Sequence, residues 1–381
     1  MGPAYIWMRA QTSARNRDTA CMPRLTFAPL LVVALLVGCN TVNPYYDASK
    51  KHHRPDGFNN NYIDNWRENQ PSFLAWQRAR WTTALPAQDA ARVKVVTPDL
   101  AYLKTNTRDV SVTWIGHATA LWQLGGLNIL TDPHFSDRAS PVSFAGPQRQ
   151  VALPIVLADL PRIDVVLISH NHYDHLDAPT VKALNRQAGG PPLFVVPLGM
   201  DLWLNAEGVT RVQRMDWWER LDVKAPQGQV SIHFVPVQHW SSRTPWDRNA
   251  SLWGGFVAQA TLDGAPYSMF FTGDTGYSKD FADIGAKFGG FDFSQIAVGC
   301  YLPRWFMREQ HVNEEEAVKI HLDVKSKLSM GAHWGTFRLC DDAIDAPIDE
   351  LPKARKKLGV DDAAFVLFAL GETRVLRQAR R

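Results

Sequence analysis

The sequence predicts an α/β protein of the α+β type, with two β-sheets and helices packed outside them. A strand-rich region lies between residues 110 and 133, and strands and helices alternate after it. Of the 381 residues, 45% are hydrophobic and 21% are charged, which suits a large buried core. Together these three observations indicate a folded domain of enzyme size.

The first predicted elements are successive strands in VSVTWIGHATALWQLGGLNILTDP, residues 110–133. Apolar residues alternate there, and Gly125–Gly126 marks a turn, which is typical of a β-meander. DVVLIS, residues 164–169, is short and β-branched enough for a buried central strand. The polar stretch SHNHYDHLD, residues 169–177, leaves the C-terminal end of that strand.

The remaining elements alternate between strand and helix. Asp177 is the expected N-cap of a helix with Pro179 in its first turn, and Asn313 is the expected N-cap of EEEAVKIHLDV. Six more strands are predicted at LFVVP (193–197), VSIHFVPVQHW (230–240), YSMFFTGDTG (267–276), SQIAVGCY (294–301), LSMGAHW (328–334) and FVLFAL (365–370). Several of them deliver a polar residue at or just beyond the strand end.

The N terminus predicts export. The apolar segment LTFAPLLVVALLVG, residues 25–38, lies between Arg24 and Cys39. It is too short and wrongly flanked for a spanning helix. It is typical of a secretory signal, and the ending LVGC is typical of a bacterial lipobox, whose cysteine is lipidated and becomes the mature N terminus. A plain hydrophobic anchor is the alternative, and Met22 is a candidate for the true start.

These features divide the chain into a signal peptide (1–38), a lipidated tether (39–60) and a main domain (61–381) that opens with a helical or irregular arm (61–108). The tether is polar and rich in Asn, Pro and Lys, which is typical of a solvated linker. We therefore discount His52 and His53 within it as metal ligands. The predicted location is a bacterial envelope, anchored by lipid and facing the periplasm, and Asn40 favours the outer membrane.

Charge and cysteine content limit the partners. Lys and Arg total 41 against 38 Asp and Glu, and no basic block is interleaved with aromatic residues, so we expect no nucleic-acid partner. Four cysteines are too few for a disulfide framework. Cys300 and Cys340 either pair in an oxidising periplasm or remain two buried thiols. The 14 tryptophans are core residues or line a lipid-facing cleft.

SHNHYDHLD concentrates imidazoles and carboxylates on one turn. Dehydrating them without a cation is costly, whereas their N and O donors suit Zn²⁺. His170 and His172 are two residues apart, so they point the same way in an extended segment. Asp174 and His175 follow after the chain turns and can face a second metal.

The same stretch, as HNHYDH, has the HxHxDH form of the metallo-β-lactamase superfamily, and His239, Asp274 and His333 complete that pattern in order. From about residue 52 onward the chain also resembles one branch, the N-acyl-phosphatidylethanolamine-hydrolysing phospholipase D family. The motifs that carry this resemblance are WIGHATALW, LTDPHFSDRASPVSFAGPQR, LISHNHYDHLD, GDTGY, PRWFM, QHVNEEEAVKIH and HWGTF. It implies an αββα sandwich of two mixed β-sheets flanked by helices, with metals at one edge.

The resemblance implies two Zn²⁺ per chain, with one ion held by His170, His172 and His239, a second by Asp174, His175 and His333, and Asp274 bridging them. A hydroxide between the metals is the implied nucleophile. Asp274 and His311 are the implied catalytic residues, and Tyr173 and His311 match residues that contact the substrate phosphate. Packing over the metal loop is the alternative for Tyr173. We expect His117 and Asp132 to support metal ligands rather than touch metal.

The predicted function is hydrolysis of phospholipid phosphodiester bonds at a membrane surface, releasing phosphatidate and an N-acylethanolamine or a similar amino alcohol. The alternatives are a dizinc hydrolase of another bond, such as a lactone, and a metal-binding lipoprotein without turnover.

Ser242 and Trp246 differ from the bile-acid contacts of the animal enzymes, so bile-acid control is not predicted. Leu302 stands where the motif of the animal enzymes has an acidic residue, so the sequence leaves the preferred headgroup open. The expected partners are phospholipid and the membrane that holds lipidated Cys39, and a homodimer is the assembly we allow for.

Overall fold

The computed structural model describes residues 42–63 and 71–379, which belong to one unit. The predicted signal peptide and Cys39 lie outside the described residues. Among the helices that are described, none combines the length and the apolar composition needed to cross a bilayer.

Residues 42–63, which we call the N-terminal strap, fold against the rest of the unit. A short hairpin pairs β1 (His53–Arg54) with β2 (Gly57–Phe58). The Phe58 side chain is fully buried in the main core, and its N–H donates to the Asn249 carbonyl at 2.9 Å. The prediction of a solvated tether over residues 39–60 is therefore wrong for the part that is described. Composition misled because His52, His53 and Asn60 are buried against partners in the later chain.

Asp216 anchors the strap through a buried carboxylate. Its oxygens lie 2.7 Å from Nε2 of His52 and 3.0 Å from Nε2 of His53, and Nζ of Lys50 donates to it at 2.5 Å. Burial opposes ionisation of Asp216, but the hydrogen bonds from His52 and Lys50 lower its pKa well below the ordinary value. The two histidines are buried rather than solvated, and the Lys50 ammonium already supplies a cation to this group.

Two seven-stranded mixed sheets form the centre of the fold. The first contains β3 (Val110–Gly116), β4 (Thr119–Leu124), β5 (Leu127–Thr131), β6 (Val165–Leu167), β7 (Leu193–Pro197), β8 (Val212–Met215) and β16 (Thr373–Arg377). The second contains β9 (Arg220–Ala225), β10 (Gly228–Val235), β11 (Gly255–Leu262), β12 (Ala265–Phe271), β13 (Phe293–Ala297), β14 (Ser329–Ala332) and β15 (Phe365–Val366).

Each sheet joins an antiparallel half to a parallel half. The first has the order β16-β3-β4-β5-β6-β7-β8, with antiparallel pairs as far as β5 and parallel pairs beyond it. The second has the order β15-β14-β13-β12-β11-β10-β9, with parallel pairs as far as β12 and antiparallel pairs beyond it. This architecture confirms the predicted β-meander and the predicted pair of mixed sheets.

Alternation along the central strands assigns side chains to two apolar layers. In β6, Val165 and Leu167 face the core between the sheets, while Val166 faces a second cluster beneath the helices. Neighbouring β7 repeats this, with Val195 in the first layer and Phe194 in the second. A strand buried on both faces reads as a continuous apolar run, which is why DVVLI and LFVV are recognisable in the sequence.

The described α-helices lie outside the sheets or in the N-terminal arm. They are α1 (Phe73–Arg80), α2 (Leu100–Thr105), α3 (Ala178–Asn185), α4 (Met200–Ala206), α5 (Asp280–Phe288), α6 (Arg304–Met307), α7 (Glu314–Asp323) and α8 (Pro347–Leu358), with 3₁₀ turns at Ala90–Arg92 and Leu157–Asp159. Asn313 caps α7 as predicted, accepting from the Glu316 N–H in a capping box.

Some details of the structure go beyond or differ from the sequence prediction. Asp177 stands at the N-cap of α3, but its carboxylate accepts from Ser136 and Thr180 instead of capping the helix backbone. The predicted strand at 365–370 is only Phe365–Val366, and β16, which the sequence did not reveal, follows it. Of the two alternatives left open for Cys300 and Cys340, the structure has the disulfide, with Cα atoms 5.1 Å apart.

Replacing Asp216 with asparagine tests the anchor of the strap. We expect Asp216→Asn to lower the free energy of unfolding by about 2–4 kcal/mol at pH 7, because the buried partners lose their carboxylate. Since the folded pKa of Asp216 is depressed, the difference should persist above the unfolded value near 4 and disappear as pH falls below it. Urea unfolding of both proteins across pH measures this.

Asp222→Asn is the matched control, because Asp222 pairs with Arg220 at an exposed position. A surface pair of this kind contributes little to stability. Equal loss of stability in the two variants would contradict the anchoring role of Asp216.

Candidate metal centre

Four loops that follow sheet strands bring the predicted metal ligands to one edge of the sandwich. The loop after β6 carries four of them, and the segments after β10, β12 and β14 carry one each. These ligands are His170, His172, Asp174, His175, His239, Asp274 and His333. Five of the seven are buried, and His172 and Asp174 are half-buried.

His170, His172 and His239 form the first group of donors. Nε2 of His170 lies 2.8 Å from Nδ1 of His172, and Nε2 of His239 lies 3.3 Å from the same atom. Nδ1 of His239 lies 2.9 Å from the Gln310 carbonyl oxygen, which can only accept. Nδ1 therefore carries the proton, and Nε2 presents its lone pair to the group.

Asp174, His175 and His333 form the second group, and the structure adds His117 to it. Oδ2 of Asp174 lies 2.9 Å from Nε2 of His117, 3.1 Å from Nε2 of His175 and 3.2 Å from Nε2 of His333. Sequence reasoning placed His117 outside the metal ligands. The contact of His117 with Asp174 can orient that carboxylate. His117 is also close enough to the other donors to hold a cation with them.

Asp274 lies between the two groups. Its Oδ2 atom is 3.1 Å from Nε2 of both His175 and His333 in the second group. The same atom is 3.9 Å from Nε2 of His170 and Nε2 of His239 in the first group. One carboxylate thus faces both sets of imidazoles, which is the arrangement expected of a bridging ligand.

Charge is distributed unevenly over the centre. Burial alone would raise the pKa of Asp274, but the imidazoles of His175 and His333 lower it well below the ordinary value. Burial likewise opposes protonation of His333, yet Asp274 and Asp174 raise its pKa to about 9. In the first group, burial lowers the pKa of His239 to about 3, so this imidazole is neutral and ready to bind a cation.

The donor set fits divalent cations. Within the described residues, Oδ1 of Asp274 is buried at the middle of the donor set without a hydrogen-bond partner. Orphaned polar atoms of this kind are costly in an apolar interior, and a cation would satisfy them. Imidazole nitrogens and carboxylate oxygens with no thiolate suit zinc, iron or manganese.

Asp132 supports the second group from behind. One oxygen lies 2.7 Å from Nδ1 of His175 and the other accepts from the Ser169 N–H at 2.7 Å, an arrangement typical of residues that orient a metal-binding imidazole. Close packing here also restricts Gly273 beside Asp274. Its φ is +61°, and a Cβ atom would meet Ser169 at 2.6 Å, so TGDTG needs glycine at this position.

Arg243, which sequence reasoning missed, fixes the loop that carries HNHYDHL. Its Nη1 donates to the carbonyl oxygens of Asn171 and Leu176, both at 2.9 Å. Tyr173 lies beneath this guanidinium at 4.1 Å, and its hydroxyl donates to the Arg243 carbonyl at 2.8 Å. The alternative reading of Tyr173, packing over the metal loop, is therefore the one this geometry favours. A lone arginine four residues after His239 offered no signal in the sequence.

His311 adjoins both Asp274 and the first group. Its Nδ1 atom lies 3.9 Å from Oδ2 of Asp274, and burial lowers its pKa to about 3. The nearby N terminus of α7 offers little help in binding an anion. The capping box between Asn313 and Glu316 already pairs N–H groups at the start of α7, and its first turn carries three glutamates. Any contact of His311 with a bound anion would therefore be made by its own imidazole.

A groove of about 930 Å³ lies against the metal loop. Asn171, Tyr173 and Leu176 form one wall, while Val42 of the strap and Val142 stand on its rim. It gives the centre an apolar neighbour large enough for parts of a lipid.

Comparisons with known proteins agree with this geometry. Residues 127–334 match the family model described as a beta-lactamase superfamily domain. The chain is 39% identical over 271 residues to N-acyl-phosphatidylethanolamine-hydrolyzing phospholipase D 1 of Caenorhabditis elegans, covering 68% of this chain and 74% of that protein. It is 36% identical over 256 residues to the mitochondrial enzyme of the same name from Saccharomyces cerevisiae, covering 66% of this chain and 53% of that protein.

Solved structures share the fold at low sequence identity. An isothiocyanate hydrolase from Delia radicum gut bacteria matches with a TM-score of 0.54 and 19% identity, over 69% of this chain and 98% of that chain. A possible metal-dependent hydrolase from Veillonella parvula matches with a TM-score of 0.55 and 17% identity, over 70% and 99%. Such likeness supports the fold alone.

Removal of the central carboxylate tests the centre. We expect the purified wild-type chain to retain divalent cation through dialysis and Asp274→Asn to lose most of it, because the amide is neutral. Elemental analysis after dialysis measures the difference. Asp280→Asn is the control, since this buried carboxylate contacts Ser278 and Asn61 and no imidazole. Equal cation content in wild type and Asp274→Asn would refute the bridging position.

Proposed function

The chain belongs to the metallo-β-lactamase superfamily of metal-dependent hydrolases, and from this premise we propose a membrane-tethered dizinc phosphodiesterase. It would cleave N-acyl-phosphatidylethanolamine-like phospholipids in the manner of a phospholipase D. The products would be phosphatidate and an N-acylethanolamine. The proposal rests on the position of Asp274, because one of its carboxylate oxygens, Oδ2, faces both groups of imidazoles.

The names of the relatives support the choice of bond. Two curated proteins at 39% and 36% identity are named as phospholipases that hydrolyse N-acyl-phosphatidylethanolamine. Bound cations would supply an activated water and stabilise the charge that develops on phosphoryl oxygens. Hydrogen bonds to the substrate and proton transfer to the leaving group would come from side chains of this chain.

His311 is the side chain best placed to act on substrate. It is neutral because its pKa is about 3, and its Nδ1 has no partner among the described residues. A neutral imidazole carries one N–H, which can donate to a phosphoryl oxygen or to the departing alkoxide. Its 3.9 Å separation from Asp274 keeps it at the centre without a direct hydrogen bond to that carboxylate.

The groove beside the metal loop supports a phospholipid over a small substrate. Acyl chains need room beside the site of cleavage, and the groove against the metal loop has about 930 Å³. Arg243 and Tyr173 form part of the boundary between this groove and the metal loop. A diacyl lipid could thus be held by its chains while its phosphodiester lies at the cations.

Substitution of His311 tests its part in turnover. We expect His311→Ala to lower kcat on N-acyl-phosphatidylethanolamine by about 10²–10³-fold, because a positioned donor is lost, while bound metal stays unchanged. Release of the N-acylethanolamine measured by mass spectrometry gives the rate. The control is His233→Ala, since His233 packs against Phe288. A wild-type enzyme that opens lactones and leaves phospholipids intact would refute the phospholipase proposal.

Membrane tethering through Cys39 is the second part of the proposal. The lipobox-like ending LVGC supports it, together with the export signal before it. We propose that the lipid anchor lies in the outer membrane and that the chain faces the periplasm.

We expect Cys39→Ser to move the protein from the membrane fraction to the soluble periplasmic fraction, because one thioether-linked lipid is lost. Fractionation and immunoblotting detect the change. Cys21→Ser is the matched control, since Cys21 precedes Met22 and should not be needed. Retention of Cys39→Ser in the membrane fraction would favour the hydrophobic-anchor alternative.

A further inference from the structure

We propose that the N-terminal strap is a working part of the metal centre, in which Asn60 is a positioning residue for the metal ligand His239. This inference rests on the proposed two-cation site. It gives residues 42–63 a second role, beyond joining the predicted anchor to the folded domain.

The contact is a two-way pairing between one side chain and the main chain of one ligand. Nδ2 of Asn60 donates to the His239 carbonyl at 2.9 Å, and Oδ1 of Asn60 accepts from the His239 N–H at 3.0 Å. Trp253 also donates to that Oδ1 atom, at 3.0 Å. Asn60 is 6% exposed, so these bonds are shielded from water. Among side chains of this length, only an amide can both donate and accept in this way.

His239 needs such support because it lies beyond the end of a strand. β10 ends at Val235, so the sheet ladder no longer pairs the His239 main chain. Within the described residues, Asn60 is the only partner recorded for the His239 N–H and for its carbonyl. Asn60 thus replaces a missing neighbouring strand. The Gln310 carbonyl then fixes the imidazole tautomer, so the main chain and the ring are held separately.

The rest of the strap is anchored firmly enough to act as a support. The Phe58 N–H donates to the Asn249 carbonyl, and the Asn249 N–H donates to the Ser241 carbonyl at 2.7 Å, two residues beyond His239. Asn43 donates to the carbonyls of Arg54 and Gly57 and closes the hairpin. Together with the bonds to Asp216, these bonds hold the strap against the segment that carries His239.

Only one of the two donor groups depends on the strap. His239 belongs to the group with His170 and His172. The other group is oriented by Asp132 and His117, which come from the β-meander region and its following turn. Loss of Asn60 should therefore weaken one cation site and spare the other. A general loss of stability would weaken both.

The test is a Co²⁺ titration of metal-depleted full-length protein, followed by visible absorption and by calorimetry. For Asn60→Ala we expect one of two binding steps to weaken by about 10–100-fold, the usual effect of losing a residue that orients a metal ligand. The second step should stay within about threefold of wild type. Asn61→Ala is the matched control, because Asn61 donates to Asp280 instead of a metal ligand, and we expect both steps to be unchanged.

Asn60→Asp provides a second variant if Asn60→Ala does not fold. It keeps an acceptor for the His239 N–H but loses the donor to the His239 carbonyl, so weakening of the same step is expected. Equal weakening of both steps, or unchanged binding in both Asn60 variants, would overturn this inference. A wild-type protein that binds only one Co²⁺ would instead overturn the two-cation proposal, together with the inference that rests on it.

Discussion

The buried carboxylate of Asp274 is the constraint on which the rest of the centre depends. An ionised carboxylate in an apolar interior costs several kcal/mol unless charged or hydrogen-bonding partners surround it. Asp274 is 3% exposed and is faced by imidazoles of both donor groups within 3.9 Å. Removing this charge would leave the imidazoles facing one another, so the carboxylate and the histidines are stable only together or with cations.

The sandwich makes that convergence possible because strands of both sheets end at one edge. The first sheet supplies the loop after β6, and the second supplies the segments after β10, β12 and β14. Sharp turns then bring the side chains inward. His117, Asp132 and His333 have positive φ, which non-glycine residues adopt rarely and at a cost. Such backbone strain clusters where packing and hydrogen bonds determine the geometry, as they do around Asp274.

Sequence reasoning found the features that are local in the chain and missed those formed at long range. HNHYDH is compact, and its resemblance to the superfamily pattern implied that His239, Asp274 and His333, which follow apolar strands, converge on it. The partners of the strap lie far along the chain, and His52 and Asp216, for example, are 164 residues apart. Composition alone could not separate a polar linker from a polar segment buried against such partners. β16 was missed for a similar reason, because its residues are only partly buried and its pairing with β3 spans the chain.

Under the proposed function, the way the metal loop is held would separate the chemistry from the choice of lipid. Arg243 pins the Asn171 and Leu176 carbonyls, and the Tyr173 hydroxyl is already bound to the Arg243 main chain. These groups are committed to the loop and have little freedom to adapt to different headgroups. The groove wall beyond them is built from surface segments such as 136–143, which can vary without disturbing the buried donors. If the proposed function holds, lipid preference should therefore be set by those segments, while the cation chemistry stays with the strand ends.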